Sequence, residues 1–520
     1  MTSKVMLGNE AIARGAWEAG CRVAAGYPGT PSTEILETIA RDFRDIKAQW
    51  SPNEKVALEV VAGASIAGAR SLATMKHVGL NVAADPLFTF SYTGVNGGMV
   101  IVNADDPGAW SSQNEQDNRH MARAAKLPML DPAGPAEAKE FTKLAFEISE
   151  KFDRPVILRI TTRIAHSQAL VEIGERNNVP LKDFVRNPKK YVMLPAHARP
   201  RHVFIEQQHL KLKDYSSDSG LNRIEMRGKK RGIITNGVAY QYVRETCPDD
   251  SVLKIGMVWP LPDRLIKEFA SQVEELYVVE ELDPFIEDYV KALGIKVIGK
   301  DIIPICGELT PEIVDLALNK KEAVKFVPPY TGDIPGRPPG LCKGCPHAFV
   351  FNILKKLDYV VNGDIGCYTL GGLPPYSAMH FQGCMGASIG MHLGFEKARG
   401  DELARNSVAV IGDSTFMHSG ITGLIDLVYN KGTGTVMILD NRITAMTGHQ
   451  ENPATGSTLM GEPAYELDLE MVVRACGVKR VFVIDPRDVE LLEKVIVEEV
   501  ATREPSVIIA RRNCILIKRG

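Results

Sequence analysis

Ser407–Asn441 reads SVAVIGDSTFMHSGITGLIDLVYNKGTGTVMILDN, and its punctuation decides the fold. SVAVIG is a short apolar run that breaks at a Gly-Asp-Ser turn. GITGLIDLVYN carries apolar residues at helical spacing, and TVMILD is a second apolar run that breaks at Asn441. Strand, helix and strand in that order make one crossover of a parallel sheet, and the unbroken apolar character of both runs fits strands covered on both faces. Strands so connected end at the same edge, and open α/β sheets bind ligands at their carboxyl edge. Asp413 and Asn441, 28 positions apart, therefore stand at two strand ends and offer a carboxylate and a carboxamide oxygen.

Hard oxygen donors of this kind suit Mg²⁺, which keeps several waters and takes phosphate oxygens for its remaining positions. The small residues Gly412 and Ser414 let backbone N–H groups approach such phosphates. Two unrelated strand-end turns would read the same way, so the remainder of the chain has to decide.

Outward from this stretch the same alternation continues. VVNGDIGC, VFVID and SVIIARRNC are further strand-and-turn segments towards the carboxyl end. Near the amino end AIARGAWEAG, CRVAAGYPGTP, SIAGARSLATM, VIVNADDPG and PVILRITT repeat it, predicting a second parallel sheet over residues 1–175. Residues 176–225 are polar, basic and proline-containing and read as a surface linker. RGIITNGVAYQYV, SVLKIGMVWPLP and ELYVVEELDPFIEDYV then predict a smaller α/β unit over 226–325. The proline-rich KFVPPYTGDIPGRPPG leads into the last unit, 326–520.

The 520 residues carry a net charge of only −3, which argues against a nucleic acid or an anionic membrane recognised through bulk charge. No apolar run reaches the roughly 18 residues of a membrane span, and MTSKVMLGNEAIARG lacks the apolar stretch of a secretory signal. The expectation is a soluble cytoplasmic protein with no nucleic-acid and no membrane partner.

In a reducing compartment the nine cysteines raise a metal or redox question rather than a disulfide one. Cys342 and Cys345 form a CxxC, and Cys367 follows in NGDIGCYTLGG. Zinc, a dithiol pair and an iron–sulfur cluster all fit such a start. A [4Fe–4S] cluster needs a fourth thiolate, for which Cys384 in FQGCMGASIG and Cys514 in IIARRNCILIKRG are the candidates. In NEKVALEVVAGASIAGAR, Glu54 and Glu59 each precede a glycine by nine residues, so spacing leaves both open as a functional carboxylate.

Taken together, YPGTPSTEI, GASIAGAR, MKHVGLNVAADP, SQNEQDNRHMARAAKLPMLDP, CKGCPH, GDIGCYTLG, CMGASIG, GDSTFMHSGI and DNRITAMTGHQENPATG span nearly the whole chain. In this order they resemble the 2-oxoacid:ferredoxin oxidoreductases, specifically α subunits of the indolepyruvate type. The resemblance implies an α/β fold with two thiamin diphosphate-binding-type parallel-sheet domains and a smaller transketolase C-terminal-like domain. Residues 1–175 would be the pyrimidine-binding type. Residues 326–520 would be the diphosphate-binding type and carry the Fe–S ligands.

The resemblance also assigns residues. Asp413 and Asn441 by side chain and Ile443 by main chain would hold Mg²⁺ on thiamin diphosphate; Ser414 stands where such motifs carry glycine. Gly366, Gly383, Met385, Gly412, Ser414, Thr415, Thr447 and Gly448 would line the cofactor, with Gln450 on the same loop. The GASIAGAR match favours Glu54 as the glutamate that activates the aminopyrimidine, and Thr30 would lie near the substrate. Cys342, Cys345, Cys367 and, by position, Cys514 would hold a [4Fe–4S] cluster, leaving Cys384 to face the diphosphate. His77, His347, His418 and His449 are further candidates near the site.

The implied reaction is oxidative decarboxylation of aryl-pyruvates, a small-molecule 2-oxoacid class, with coenzyme A as co-substrate. The implied partners are a β subunit of the indolepyruvate oxidoreductase type and a ferredoxin or separate iron–sulfur electron carrier. One departure stands out. Typical α subunits continue into a ferredoxin-like segment with two CxxCxxCxxxCP sets, whereas this chain stops six residues after Cys514. Electrons are therefore expected to leave through another polypeptide. A non-oxidative thiamin diphosphate decarboxylase, an oxidoreductase with a different acceptor subunit, and a scaffold with a vestigial site are the alternatives.

Overall fold

The apolar runs form parallel strands in three sheets of a computed structural model that describes residues 2–320 and 338–517. The chain divides into two units, Met1–Pro329 and Tyr330–Gly520.

In the first unit the main sheet has seven strands. Their spatial order is Met257–Trp259, Met129–Leu130, Val156–Thr161, Met99–Asp105, Ser71–Lys76, Val23–Gly26 and Lys47–Trp50. The pairings are parallel except that of Met257–Trp259 with Met129–Leu130. Met99–Asp105 and Val156–Thr161 are buried at every residue, which is why they lack the alternation of a half-exposed strand. A second sheet runs Glu275–Val279, Arg231–Asn236, Ser251–Ile255 and Arg223–Glu225. One apolar cluster joins the two sheets, with Leu58, Val61, Met75 and Leu87 contributing from one side and Ile234, Leu253 and Phe285 from the other. Buried charge pins them as well: Arg159 donates to Asp105 and Asp131, and Asn236 Nδ2 donates to Asp131 Oδ2 at 2.6 Å. Residues 226–320 thus share a core with the first sheet.

The stretch 176–225, expected to be a linker, carries a 24-residue helix, Pro195–Asp218. Its buried side chains are Ile205, Leu212 and Ser216, so it lies on the surface as expected but as an ordered element. Of the second expected linker, residues 325–337 lie outside the described residues.

The second unit holds one six-stranded sheet, parallel throughout, in the order Phe381–Gln382, Val360–Gly363, Ser407–Gly412, Thr435–Asp440, Ser506–Arg511, Arg480–Ile484. Two apolar clusters cover its faces, one built around Phe351, Met437 and Ile508, the other around Phe416, Ile438 and Ile509. The opening stretch of sequence is its centre. Asp413–Thr415 starts a helix that runs through a π-helical segment, Phe416–Gly420, into Ile421–Tyr429. Single π turns inside α-helices occur often at functional sites. No helix among the described residues is long and apolar enough to cross a membrane.

Candidate active site

Register brings the polar residues of the second unit to one edge. Gly412 pairs with Leu439, so Asp413 and Asp440 follow side by side with Asn441 one residue beyond. Asp440 pairs with Arg511, which carries Arg512, Asn513 and Cys514 past the same edge. Gly363 pairs with Gln382, which places Asp364 and the Gly383–Met385 turn there too. The Cys514 N–H donates to the Asn441 carbonyl at 3.0 Å, tying the last cysteine to the Asp-Asn turn.

The two aspartates at this edge differ in their counter-charges. Asp440 accepts from Arg511 Nε at 2.7 Å and has Arg442 Nε at 3.4 Å. Asp413 is buried and accepts from Asn452 Nδ2 at 3.2 Å, with no Lys or Arg in ion-pair range among the described residues. Burial first, and then the neighbouring Asp440, push its carboxyl up to about 7. A buried carboxylate so placed is stabilised by a cation. Asn441 turns its Nδ2 towards His347 Nε2 at 3.4 Å, while its Oδ1 accepts from the Ile443 N–H at 3.3 Å. Burial holds the His347 imidazole down at about 4, so it is neutral and able to accept. A carboxylate, a carboxamide oxygen and a following backbone turn form a donor set that fits Mg²⁺.

Around this clamp, Thr415 Oγ1 donates to the Ile365 carbonyl at 2.8 Å and Thr444 Oγ1 to Ser414 Oγ at 3.0 Å. Thr447 Oγ1 donates to Gln450 Oε1 at 2.6 Å, and Gly448 has φ 128°, a conformation that favours glycine. Asp364, which the sequence reading passed over, accepts from the backbone N–H groups of Ile365, Gly386 and Ser388 at 2.9, 2.7 and 2.9 Å. It thereby shapes the turn bearing Gly383 and Met385. Gly366 and Gly412 lie against the Tyr368 ring: an added Cβ would stand 2.4 and 2.6 Å from its Cε1. Packing on that ring accounts for both glycines in the chain alone.

The structure gathers Cys342, Cys345, Cys367 and Cys514. Burial pushes the Cys367 thiol up to about 11, helped by Cys345, Cys514 and Cys342 nearby. The Cys345 thiol is also raised, first by burial and further by Cys342 and Cys514, against the backbone N–H groups of His347 and Ala348. Cys384 is exposed. Among the described residues, the only set of three or more His, Cys, Asp or Glu with ligand atoms within 4.8 Å of one another is Asp117, His120 and Asp283. There the Arg119 guanidinium already pairs with Asp117. Among the described residues, no three of the four sulfurs lie within 4.8 Å of one another. Four thiols gathered in this way are the usual ligand complement of a [4Fe–4S] cluster, and of a structural zinc ion as well.

In the first unit the carboxyl edge presents Tyr27–Thr33, Ser51–Glu54, Lys76–His77 and Asp105–Asp106, because Gly26 pairs with Trp50 and Thr74, and Lys76 with Ala104. Glu54 opens the helix Glu54–Ile66, capped by Asn53 Oδ1, which accepts from the Val56 N–H at 2.9 Å. Glu54 is only 6% exposed, and its carboxyl lies on Gly79, where an added Cβ would stand 2.6 Å from Oε1. Glu59 is half-buried, and its carboxylate pairs with Lys55 on the surface of the helix. Thr30 is half-buried, and its carbonyl accepts from Ser111 Oγ at 3.4 Å. Lys76, also passed over in the sequence, is buried here; its Nζ donates to the Ser111 carbonyl, and burial pushes it down to about 8 against the pull of Asp106. Asp106 itself is taken up by the Ser111 N–H at 2.9 Å and by the Ser112 and Thr162 hydroxyls. His77 is buried with Nε2 on the Asn114 carbonyl at 3.2 Å, His418 is buried with Nδ1 2.6 Å from Ser419 Oγ, and His449 is half-buried.

Comparison with known proteins agrees with this layout. Residues 14–226 match the model of the pyruvate flavodoxin/ferredoxin oxidoreductase thiamine diphosphate-binding domain, and 364–510 that of the thiamine pyrophosphate enzyme C-terminal TPP-binding domain. With parallel sheets in both units, these define a thiamin diphosphate-dependent 2-oxoacid oxidoreductase. The indolepyruvate oxidoreductase subunit IorA of Archaeoglobus fulgidus is 42% identical over 98% of this chain and 86% of its own length. That of Methanothermobacter marburgensis is 41% identical over 98% and 87%. The chain belongs to the IorA family of indolepyruvate oxidoreductase subunits. Among solved structures, the 2-oxoglutarate:ferredoxin oxidoreductase from Magnetococcus marinus shares the fold, with TM-score 0.52 and 18% identity over 61% of this chain and 65% of that one.

Proposed function

We propose that the chain is the large subunit of a hetero-oligomer that converts aryl-pyruvates and coenzyme A to aryl-acetyl-CoA and CO₂, using thiamin diphosphate, Mg²⁺ and an internal [4Fe–4S] cluster. The balance is R–CO–COO⁻ + CoA–SH → R–CO–S–CoA + CO₂ + H⁺ + 2e⁻, the electrons passing to a low-potential carrier such as ferredoxin. The observation that carries the reading is the shared edge of the second unit, where an Asp-Asn clamp and four clustered cysteines are joined by the Cys514–Asn441 hydrogen bond of 3.0 Å.

When bound, thiamin diphosphate supplies the electron sink that lets a 2-oxoacid lose CO₂, and the cluster supplies one-electron acceptance. The chain supplies the rest. Asp413 and Asn441 by side chain and Ile443 by carbonyl hold the metal. Gly366, Gly383, Met385, Gly412, Ser414, Thr415, Thr447 and Gly448 line the cofactor, and Cys342, Cys345, Cys367 and Cys514 hold the cluster. Glu54, kept from water at the head of its helix, would hydrogen-bond an aminopyrimidine nitrogen of the bound cofactor and activate it. Thr30 lies on the substrate loop. The aryl preference and the β-subunit partner rest on the relatives' name, indolepyruvate oxidoreductase.

The test is anaerobic co-expression with a β subunit of that type, followed by coenzyme A-dependent dye reduction across 2-oxoacids. Reduction by indolepyruvate, phenylpyruvate and hydroxyphenylpyruvate is expected. Reduction by pyruvate alone sinks the substrate assignment, and aldehyde formation without dye reduction sinks the oxidative one.

A further inference from the structure

The proposed reaction needs a group that holds the substrate carboxylate, and no residue above supplies one. A 2-oxoacid arrives as a carboxylate and must be held with its keto carbon free. Buried lysines are ordinarily paired with a carboxylate. Lys76 is 8% exposed, and among the described residues no Asp or Glu stands within ion-pair distance of it. Its protein acceptors are the carbonyl and, at 3.5 Å, the hydroxyl of Ser111. The neighbouring carboxylate, Asp106, is committed to Ser111, Ser112 and Thr162.

Position matters as much as charge. Lys76 is the last residue of the Ser71–Lys76 strand, at the carboxyl edge of the sheet. The turn it begins lies against the loop that carries Thr30 and against the Glu54 carboxyl. A Cβ on Gly29, beside Thr30, would stand 3.2 Å from Lys76 Cβ. Three residues on, Gly79 lies beneath the Glu54 carboxyl. Ser111 bridges the two sides, its carbonyl accepting from Lys76 and its hydroxyl donating to the Thr30 carbonyl. Next in the chain, the buried Nδ1 of His77 has no hydrogen-bond partner among the described residues.

We propose that the Lys76 ammonium binds the carboxylate of the 2-oxoacid, with the Thr30 loop and Ser111 as its walls. The inference rests on the function proposed above and names its substrate-anchoring residue. A charge-assisted bond to a buried ammonium discriminates a carboxylate from a neutral isostere by about 10- to 100-fold.

The test compares equilibrium binding of 3-phenylpropanoate and of 3-phenylpropanamide to the thiamin diphosphate-loaded complex, in the wild type, Lys76→Met and Lys76→Arg. Wild type should prefer the carboxylate by that factor. Lys76→Met should lose the preference while keeping its affinity for thiamin diphosphate and its unfolding midpoint, and Lys76→Arg should keep most of it. In turnover, Lys76→Met should raise KM for the aryl-pyruvate and leave KM for coenzyme A unchanged. An unchanged preference in Lys76→Met overturns the proposal, and so does a rise confined to the coenzyme A KM, which would assign Lys76 to the phosphates of that molecule. A Lys76→Met that loses both ligands together with thiamin diphosphate also overturns it, as a merely structural lysine. A wild type that fails to retain thiamin diphosphate is a different result and overturns the underlying function.

Discussion

Glu54 and Glu59 sit five positions apart on one helix and face opposite fates. Glu54 is buried over Gly79, while Glu59 is half-buried with its carboxylate paired to Lys55. Glu54→Gln should keep thiamin diphosphate and lower kcat by about 10²- to 10⁴-fold, the range for losing a positioned proton donor. Glu59→Gln should stay within twofold of wild type, about the size expected for removing an exposed pair. Steady-state kinetics on both variants checks the assignment. A second residue-scale effect comes from His392, fully buried against Asn362 and Ser407, with Glu396 and Arg405 the charged groups acting on it. Burial holds its imidazole down at about 4. Between that value and the ordinary 6.5, the unfolded chain binds more protons than the folded one, so stability falls as pH drops through this window. The loss is on the order of 2 kcal/mol at pH 5. His392→Gln should flatten the difference in urea midpoint between pH 7 and pH 5. Asp413 and Asn441 were readable as candidates because a polar residue closing an apolar run announces a strand end. Lys76 and Asp364 were not, because a lysine or aspartate at a strand end looks the same in sequence whether it is paired or not.

At the scale of elements, two turns carry testable geometry. Gly79 belongs to the short helix His77–Val82, and an Ala there would put Cβ 2.6 Å from Glu54 Oε1. Gly79→Ala should preserve the fold, since Ala suits a helix, yet displace the carboxyl and lower kcat by at least about tenfold. The other is the segment after the Ser506–Arg511 strand. Cys514→Ser should lower iron and acid-labile sulfide together and diminish absorption at about 400 nm, whereas Cys384→Ser should not. Loss of the cluster in the Cys384 variant alone would reverse the ligand assignment. The strands were legible because buried parallel strands are unbroken apolar runs. The Pro195–Asp218 helix was not, because only Ile205, Leu212 and Ser216 of its 24 residues are buried and it contains Pro200. Periodicity cannot register so narrow an apolar face.

At the scale of the molecule, sequence pattern separated residues 226–325 as a unit of their own, and the smaller sheet there is real. Its core is nevertheless continuous with that of the first sheet through Ile234, Leu253 and Phe285, and the Met257–Trp259 strand completes the larger sheet. Such sharing is invisible locally, because an apolar residue does not declare which sheet it will face. The central claim concerns the second unit, where Asp413, Asn441 and the four cysteines proposed as cluster ligands lie at one sheet edge. It is tested most directly by absorption at about 400 nm of the anaerobically purified α–β complex, recorded before and after adding indolepyruvate. A brown protein that bleaches on adding the 2-oxoacid, and in Asp413→Ala stays brown without bleaching, is the predicted result. A colourless protein that converts indolepyruvate to its aldehyde would contradict the account.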